Sequence, residues 1–425
     1  MRILLVTPYF PPEVGSASHL LYELGGELVR RGHHVHVATL FPRYHVPAAG
    51  SRYRRRAILT ETVAGMRVSR VRIPSLPRAV PVARGVDQFL AAAALFAAGV
   101  RAGSVDAILQ YSPPLPVGLA GLALARWHGS VWVLNVQDLF PQSAVDLGVL
   151  HSPAVIRAYE ALETFLYRQA SHVTVHSTGN AAHVHARGVP GKRVSVVANW
   201  VDTRHIRPGE RLNAFRAHHG LGDRFVASFA GVLGYSQDLD VVLEAAERVR
   251  DEARILFLVV GDGVDKPRLE QKARQLGLSN VRFLPMLPRH EYPALLAASD
   301  VGLTTLRREV RTPVVPSKIP SIMAAGRPVA AALDLAGDAP RLIADAGAGY
   351  AVPPGDAAAL AGVVRRLSAE PALAAALGAN GRRYVEETLS LEAAAAQYES
   401  LFRTLIESRA PVAVPAGARV VARQR

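Results

Sequence analysis

Short β-branched apolar runs alternate along the chain with longer amphipathic or Ala/Leu-rich runs, the pattern of parallel sheets covered on both faces by helices. Residues 2–7, 34–40, 66–73, 107–111, 131–136, 172–175 and 194–198 read as strands of a first sheet, with helices predicted over 18–31, 115–128 and 154–170. The pattern restarts at 224–230 and runs through 255–260, 281–284, 301–305, 329–333 and 349–352, with helices over 239–250, 266–276 and 317–325. Two α/β domains with facing sheets follow, one over 1–200 and one over 201–388, with the hinge in the stretch 199–208 that ends at Pro208. A last helix over 389–408 follows the cap signal Thr388-Leu-Ser390, and the pattern leaves open which domain it joins. The tail 409–425, rich in Ala, Pro, Val and Arg without a period, is expected to be disordered and basic. Ligands of open parallel sheets bind at the carboxyl ends of strands, so the cleft between the domains is the expected site.

Composition narrows this little, but charge and cysteine add something. The 425 residues are 50% apolar and 20% charged, in the range of a folded globular chain. The formal net charge of +14 is carried by arginine, since lysine occurs only at Lys192, Lys266, Lys272 and Lys318; such an excess favours anionic partners. Nucleic acid is not expected, because no basic stripe with interleaved aromatics lies on a recognised binding module. With no cysteine, disulfides and thiolate metal sites are excluded. The first residues do not read as a secretory signal, and the longest apolar stretch, 89–100, is shorter than the ~20 residues of a spanning helix, so a cytoplasmic protein is expected. The basic aromatic segments 43–46 and 51–56, with Arg78 and Arg84 beside that apolar stretch, read either as a peripheral patch for an anionic membrane surface or as a solvated loop next to a core helix.

Four places carry candidate chemistry. The first strand runs into a turn with Gly15 and Ser16 before a helix, which suits a phosphate or is a plain loop with an N-cap serine. The strand ending at Val136 delivers Gln137 and Asp138 to the cleft mouth, where Asp138 can act on a hydroxyl or cap the next helix. In the second sheet, Gly261-Asp262-Gly263 makes a tight turn and Lys266 follows in the next helix, either a phosphate or sugar contact or a solvated lysine. The segment 315–329 starts a short helix at Pro316 and Ser317 and stops it at Gly326. Lys318 then lies in the first turn, where its charge opposes the helix dipole; an anionic ligand would compensate it, and a buried stem with a solvated head is the alternative. No metal-ligand constellation is visible.

Taken together, these residues resemble the retaining glycosyltransferases of family 4, which have two facing Rossmann-like domains of the GT-B type. The resemblance spans nearly the whole chain, through residues 11–15, 31–35, 199–202, 261–263, 281–285, 298–302, 325–329 and 349–356. The segments 136–141, 231–239 and 316–318 are similar to bacterial transferases of surface-polysaccharide synthesis related to N-acetylfucosamine transferases. The resemblance implies a nucleotide-diphosphate sugar donor, transfer with retention, an acceptor sugar on polyprenyl diphosphate at the inner membrane face, and no metal or other cofactor. It implies donor contacts at Gly15, Ser16, Gly231, Gly234, Asp262, Gly263, Lys266 and Ser317, a base pocket at 283–287 with Leu284 and Pro285, and catalytic roles for Asp138 and Lys318. The chain also departs from the family. Pro313 and Ser321 stand where a glutamate pair is usual, Val232 and Gln237 replace an arginine and a lysine, and Gln137 replaces a histidine. Ser321 is left as a weaker contact to a ribose hydroxyl. Two other functions fit the same architecture: a sugar-nucleotide 2-epimerase and a non-catalytic nucleotide-sugar binding protein.

Overall fold

A computed structural model describes residues 1–13, 16–43, 56–74, 81–310 and 315–409. The strands are β1 (Arg2–Val6), β2 (His34–Leu40), β3 (Ile58–Val63), β4 (Met66–Val71), β5 (Ala107–Ser112), β6 (Val131–Val136), β7 (His172–Val175) and β8 (Val194–Val196) in a first sheet. A second sheet holds β9 (Phe225–Ala230), β10 (Ile255–Val260), β11 (Val281–Leu284), β12 (Val301–Thr305), β13 (Val329–Ala332) and β14 (Gly349–Val352). The sheet orders are β3-β4-β2-β1-β5-β6-β7-β8 and β11-β10-β9-β12-β13-β14. Both are parallel α/β sheets as the apolar runs predict, except for β3, which pairs antiparallel with β4. Sequence reading missed β3. Its alternating polar residues leave its side chains only partly covered, as suits a sheet edge, and Ala64 and Gly65, with φ of 49° and 78°, form the two-residue turn that closes the hairpin.

Strands β5, β6 and β10 are buried along their whole length because helices cover both faces, which explains their unbroken apolar runs. The helix Pro81–Gly99 buries Ala91, Ala92, Ala94, Leu95 and Ala98 against one face of the first sheet. By length and composition alone its window Gly85–Ala102 could cross a membrane, with a mean hydropathy of 1.2; 33% of that window is buried, in the C-terminal half of the helix, which packs on the first sheet. The opposite face is covered by the helix Ser16–Arg30 and by the last helix, Leu391–Arg409.

That last helix is the element the sequence pattern left unassigned, and it packs on the first domain. Tyr398 and Phe402 are fully buried there, and Asn135 Nδ2 on β6 donates to the Tyr398 hydroxyl at 2.8 Å. The chain thus passes between the domains twice, and the two passages pair. Val201 N–H donates to Leu389 O at 3.0 Å, and Leu391 N–H to Val201 O at 3.1 Å. Arg382 ties them further through the carbonyls of Ile206 and Ala324, at 2.9 and 2.7 Å.

Two buried histidines of the first sheet make the fold acid-sensitive. His36 and His172 meet Ser69 and Ser195 hydroxyls at 2.9 and 2.8 Å, and burial pushes each imidazole down to about 4. The folded state therefore favours neutral rings, so this stability is present above about 6.5 and is lost as pH falls toward 4. Thermal melting is expected to show a loss on the order of 1 kcal/mol or more per histidine across that window.

Candidate active site at the switch points of the two sheets

Strand order reverses between β1 and β5 in the first sheet and between β9 and β12 in the second. A crevice opens beyond the strand ends at such a reversal. Gly231 follows β9 directly and Lys318 lies beyond β12, so both flank the second reversal.

The Lys318 ammonium is fixed from several sides. Its Nζ lies 4.8 Å over the Phe229 ring of β9 and donates to Gln237 Oε1 at 2.8 Å. A Cβ at residue 231 would stand 2.8 Å from the Lys318 Cε, so glycine makes room for the lysine stem. Among the described residues no carboxylate forms an ion pair with it, and burial pushes the amine down to about 8. Lys272, by contrast, is held by Asp240 and Glu244 at 2.7 and 2.8 Å. Half-buried and without a countercharge, Lys318 is suited to an anionic ligand.

Glycine turns pack around it. A Cβ on Gly261 would lie 1.9 Å from the Gly231 carbonyl, and one on Gly263 would lie 2.4 Å from the Leu233 carbonyl. The turns after β9, β10 and β11 are stitched by backbone bonds, Leu233 N–H to Asp262 O at 2.9 Å and Gly261 N–H to Leu284 O at 3.1 Å. Lys266 donates to the Gly261 carbonyl at 3.1 Å and reaches that of Leu284 at 3.5 Å, so it braces these turns from within. Asp262 accepts from Gly263 N–H at 2.8 Å and is otherwise exposed. Gly234 precedes the short turn Tyr235–Gln237, and Pro285 continues from β11 at the same edge. The second domain thus gathers Gly231, Gly234, Asp262, Gly263, Lys266, Leu284, Pro285, Ser317 and Lys318 at one end of its sheet.

The short helix Lys318–Ala324 begins one residue later than the cap signal suggests, with Ser317 at its N-cap. Ser321 donates back to the Ser317 carbonyl at 3.1 Å and bonds the buried Tyr292 hydroxyl, which engages its oxygen within the domain. Pro313 and Gly15 lie outside the described residues. Ser16 opens the helix Ser16–Arg30.

Asp138 belongs to the other wall, one residue beyond Gln137 at the end of β6. Burial raises its carboxyl above the usual carboxylate range, against the opposing hydrogen bonds of the Ser143 hydroxyl and Leu139 N–H. Tyr111 at the end of β5 is likewise raised by burial and packs edge-on to Tyr9 at 6.2 Å. Gln137 turns inward, its Nε2 donating to Asn135 Oδ1 at 2.9 Å, and through Asn135 it is linked to Tyr398 of the last helix. No hydrogen bond or ion pair among the described residues joins Asp138 to Lys318.

Two contacts across the cleft escaped sequence reading. Arg289, beyond β11, pairs with Glu23 on the helix Ser16–Arg30 and lies 5.8 Å from the Tyr22 ring. On the other flank, Asp338 accepts from Thr178 Oγ1 and Gly179 N–H at 2.9 and 3.0 Å, so a carboxylate of the second domain caps a helix of the first. No local spacing signals either contact, because each partner is an ordinary helix or turn residue until the domains are brought together. Burial pushes the Glu23 carboxyl up to about 7 despite Arg289, with Asp202 adding to the rise; burial, with Arg289 and His205 close by, pushes the His19 imidazole down to about 4. The Glu23–Arg289 pair is therefore charged above about 7 and weakens below it.

Two facing α/β sheets with a shared cleft at their switch points define the GT-B class of glycosyltransferase. Sucrose-phosphate synthase from Thermosynechococcus elongatus has this fold, with TM-score 0.75 and 20% identity over 96% of this chain and 99% of that one. Anabaena HepE, solved in complex with UDP, matches with TM-score 0.71 and 18% identity over 95% of this chain and all of its own, 100%. Residues 15–200 match the family described as "Glycosyl transferase 4-like domain" and residues 224–370 the family described as "Glycosyl transferases group 1"; the chain belongs to these glycosyltransferases. WcaI of Escherichia coli (strain K12), named for colanic acid biosynthesis, is 28% identical over 77% of this chain and 82% of its own length. WbjE of Pseudomonas aeruginosa, named as a glycosyltransferase, is 29% identical over 62% of this chain and 66% of its own.

Proposed function

We propose that the protein transfers a hexose-type sugar, with retention, from a nucleotide-diphosphate donor to a hydroxyl of a polyprenyl-diphosphate-linked saccharide in bacterial surface-polysaccharide synthesis. The observation that carries the donor half is the Lys318 ammonium, held without a countercharge among close-packed glycine turns at the second switch point. As the bond from sugar to phosphate breaks, negative charge grows on the departing nucleoside diphosphate, and a fixed ammonium in a half-buried cleft stabilises it. The donor then lies along the second domain, with its base toward Leu284 and Pro285 and its sugar toward the first domain. Asp138 faces the sugar and acceptor, its raised carboxyl suited to hold or exchange a proton with a hydroxyl. Retention follows if the acceptor hydroxyl attacks from the face the leaving group occupies. The charge assignment requires no metal, so chelation by EDTA is expected to leave transfer unchanged.

The acceptor half is supported by WcaI and by WaaG, a solved structure titled as a glycosyltransferase involved in lipopolysaccharide biosynthesis. A lipid-linked acceptor calls for approach to the inner face of the membrane. Val86, Phe89 and Trp127 are exposed on the first domain, and Trp127 has the exposed Arg126 beside it in sequence on the same helix, features suited to a peripheral contact with anionic lipid. Arg43 is turned inward onto Asp87 at 2.8 Å, and 44–55 and Arg78 lie outside the described residues, as does the Arg84 side chain.

Thermal melting against UDP-, GDP- and dTDP-sugars tests the donor half, since a ligand at a hundred times its Kd stabilises by about 2.7 kcal/mol. One class of donor is expected to raise the midpoint; no shift with any of them would remove this reading. Release of an epimerised sugar from donor alone would instead favour an epimerase.

A further inference from the structure

Gln237 is more than a neighbour of Lys318. Its backbone is pinned to the end of β12, where the Thr305 hydroxyl donates to the Gln237 carbonyl and Arg307 N–H donates to Ser236 O at 3.0 Å. Its amide nitrogen faces Ser236 Oγ at 3.4 Å, so the oxygen is the end turned toward Lys318. The ammonium is thus located by an aromatic face, by the space at Gly231 and by one fixed acceptor, leaving its other hydrogens free for a ligand. The two side chains come from different elements, one from the turn after β9 and one from the helix after β12, and their ends meet at 2.8 Å.

We infer that Gln237 is a positioning residue that aims the Lys318 ammonium, and that residues 237 and 318 share one cation position which either backbone site can serve. This rests on the reading of Lys318 as the donor-phosphate cation. A neutral amide at 237 is required while a lysine occupies 318, because two ammonium groups at hydrogen-bond distance repel and the half-buried one discharges. Exchanging the two side chains returns one ammonium and one amide to the same place.

The test titrates UDP and GDP calorimetrically into the full-length chain and four variants, with transfer kinetics alongside. Lys318→Gln is expected to weaken nucleoside diphosphate binding tenfold or more. Gln237→Lys alone is expected to weaken it as well. The exchanged variant, Gln237→Lys with Lys318→Gln, is expected to return to within about threefold of the native affinity, a gain of at least about 0.7 kcal/mol over Lys318→Gln. An exchanged variant no better than Lys318→Gln overturns the shared position, and so does tighter binding by Gln237→Lys alone. Unchanged binding by Lys318→Gln overturns the prior reading of Lys318 instead, so the two failures are distinct. The near-isosteric Gln237→Glu supplies a second readout that does not depend on the exchange. A carboxylate beside the ammonium raises the pH, near 8 in the native chain, at which binding weakens. A midpoint left in place would show that Gln237 does not act on the ammonium.

Discussion

Replacing Lys318 by alanine is expected to lower transfer more than tenfold, equivalent to about 1.4 kcal/mol or more of transition-state stabilisation. The reason is local and electrostatic. Lys318 has no carboxylate partner among the described residues, whereas the nearby Lys266 is turned onto the Gly261 and Leu284 carbonyls. Because burial holds the amine near 8, donor binding in the native chain should weaken as pH rises through that value. Lys318→Arg, whose guanidinium stays charged, should lose that pH dependence even where its different shape lowers the rate. Steady-state kinetics at pH 7 and 9 checks both statements, and an alanine variant with native turnover would refute the first.

The second large effect concerns the last helix. Phe402 and Tyr398 are fully buried against the first sheet, beside Leu391 and Ala395. Phe402→Ala should cost about 3–5 kcal/mol of stability, read from denaturant midpoints. A chain ending before Leu391 should expose that sheet face and lose cooperative unfolding of the first domain. Such a variant also cuts the link from Tyr398 through Asn135 to Gln137, next to Asp138, so any protein recovered should lose transfer as well. A truncated chain that melts and turns over like the native one would show that the helix is dispensable.

The strands that sequence could read are those whose apolar runs are buried by helices on both faces, such as β5, β6 and β10. Strand β3 is half-covered at an edge and carries a polar alternation, so its signal was too weak to separate from loop. The glycine turns and Lys318 were legible for a related reason, since tight turns demand particular residue types at particular positions. The contacts that fix the site were not. Phe229 beneath the ammonium, Gln237 beside it, Arg289 on Glu23 and Asp338 on Gly179 each join residues far apart in sequence, and nothing in local spacing requires them. Lys266 and Ser321 show the converse, because their residue types suggested ligand contacts while the fold gives them partners of their own in carbonyls and Tyr292.

The most direct test of the donor site is a calorimetric titration of UDP and GDP into the native chain and into Lys318→Ala at pH 7. A single saturable site is predicted in the native chain, weakened at least tenfold in the variant. Equal affinity in the two proteins, or no binding of either nucleotide to the native chain, would contradict the account.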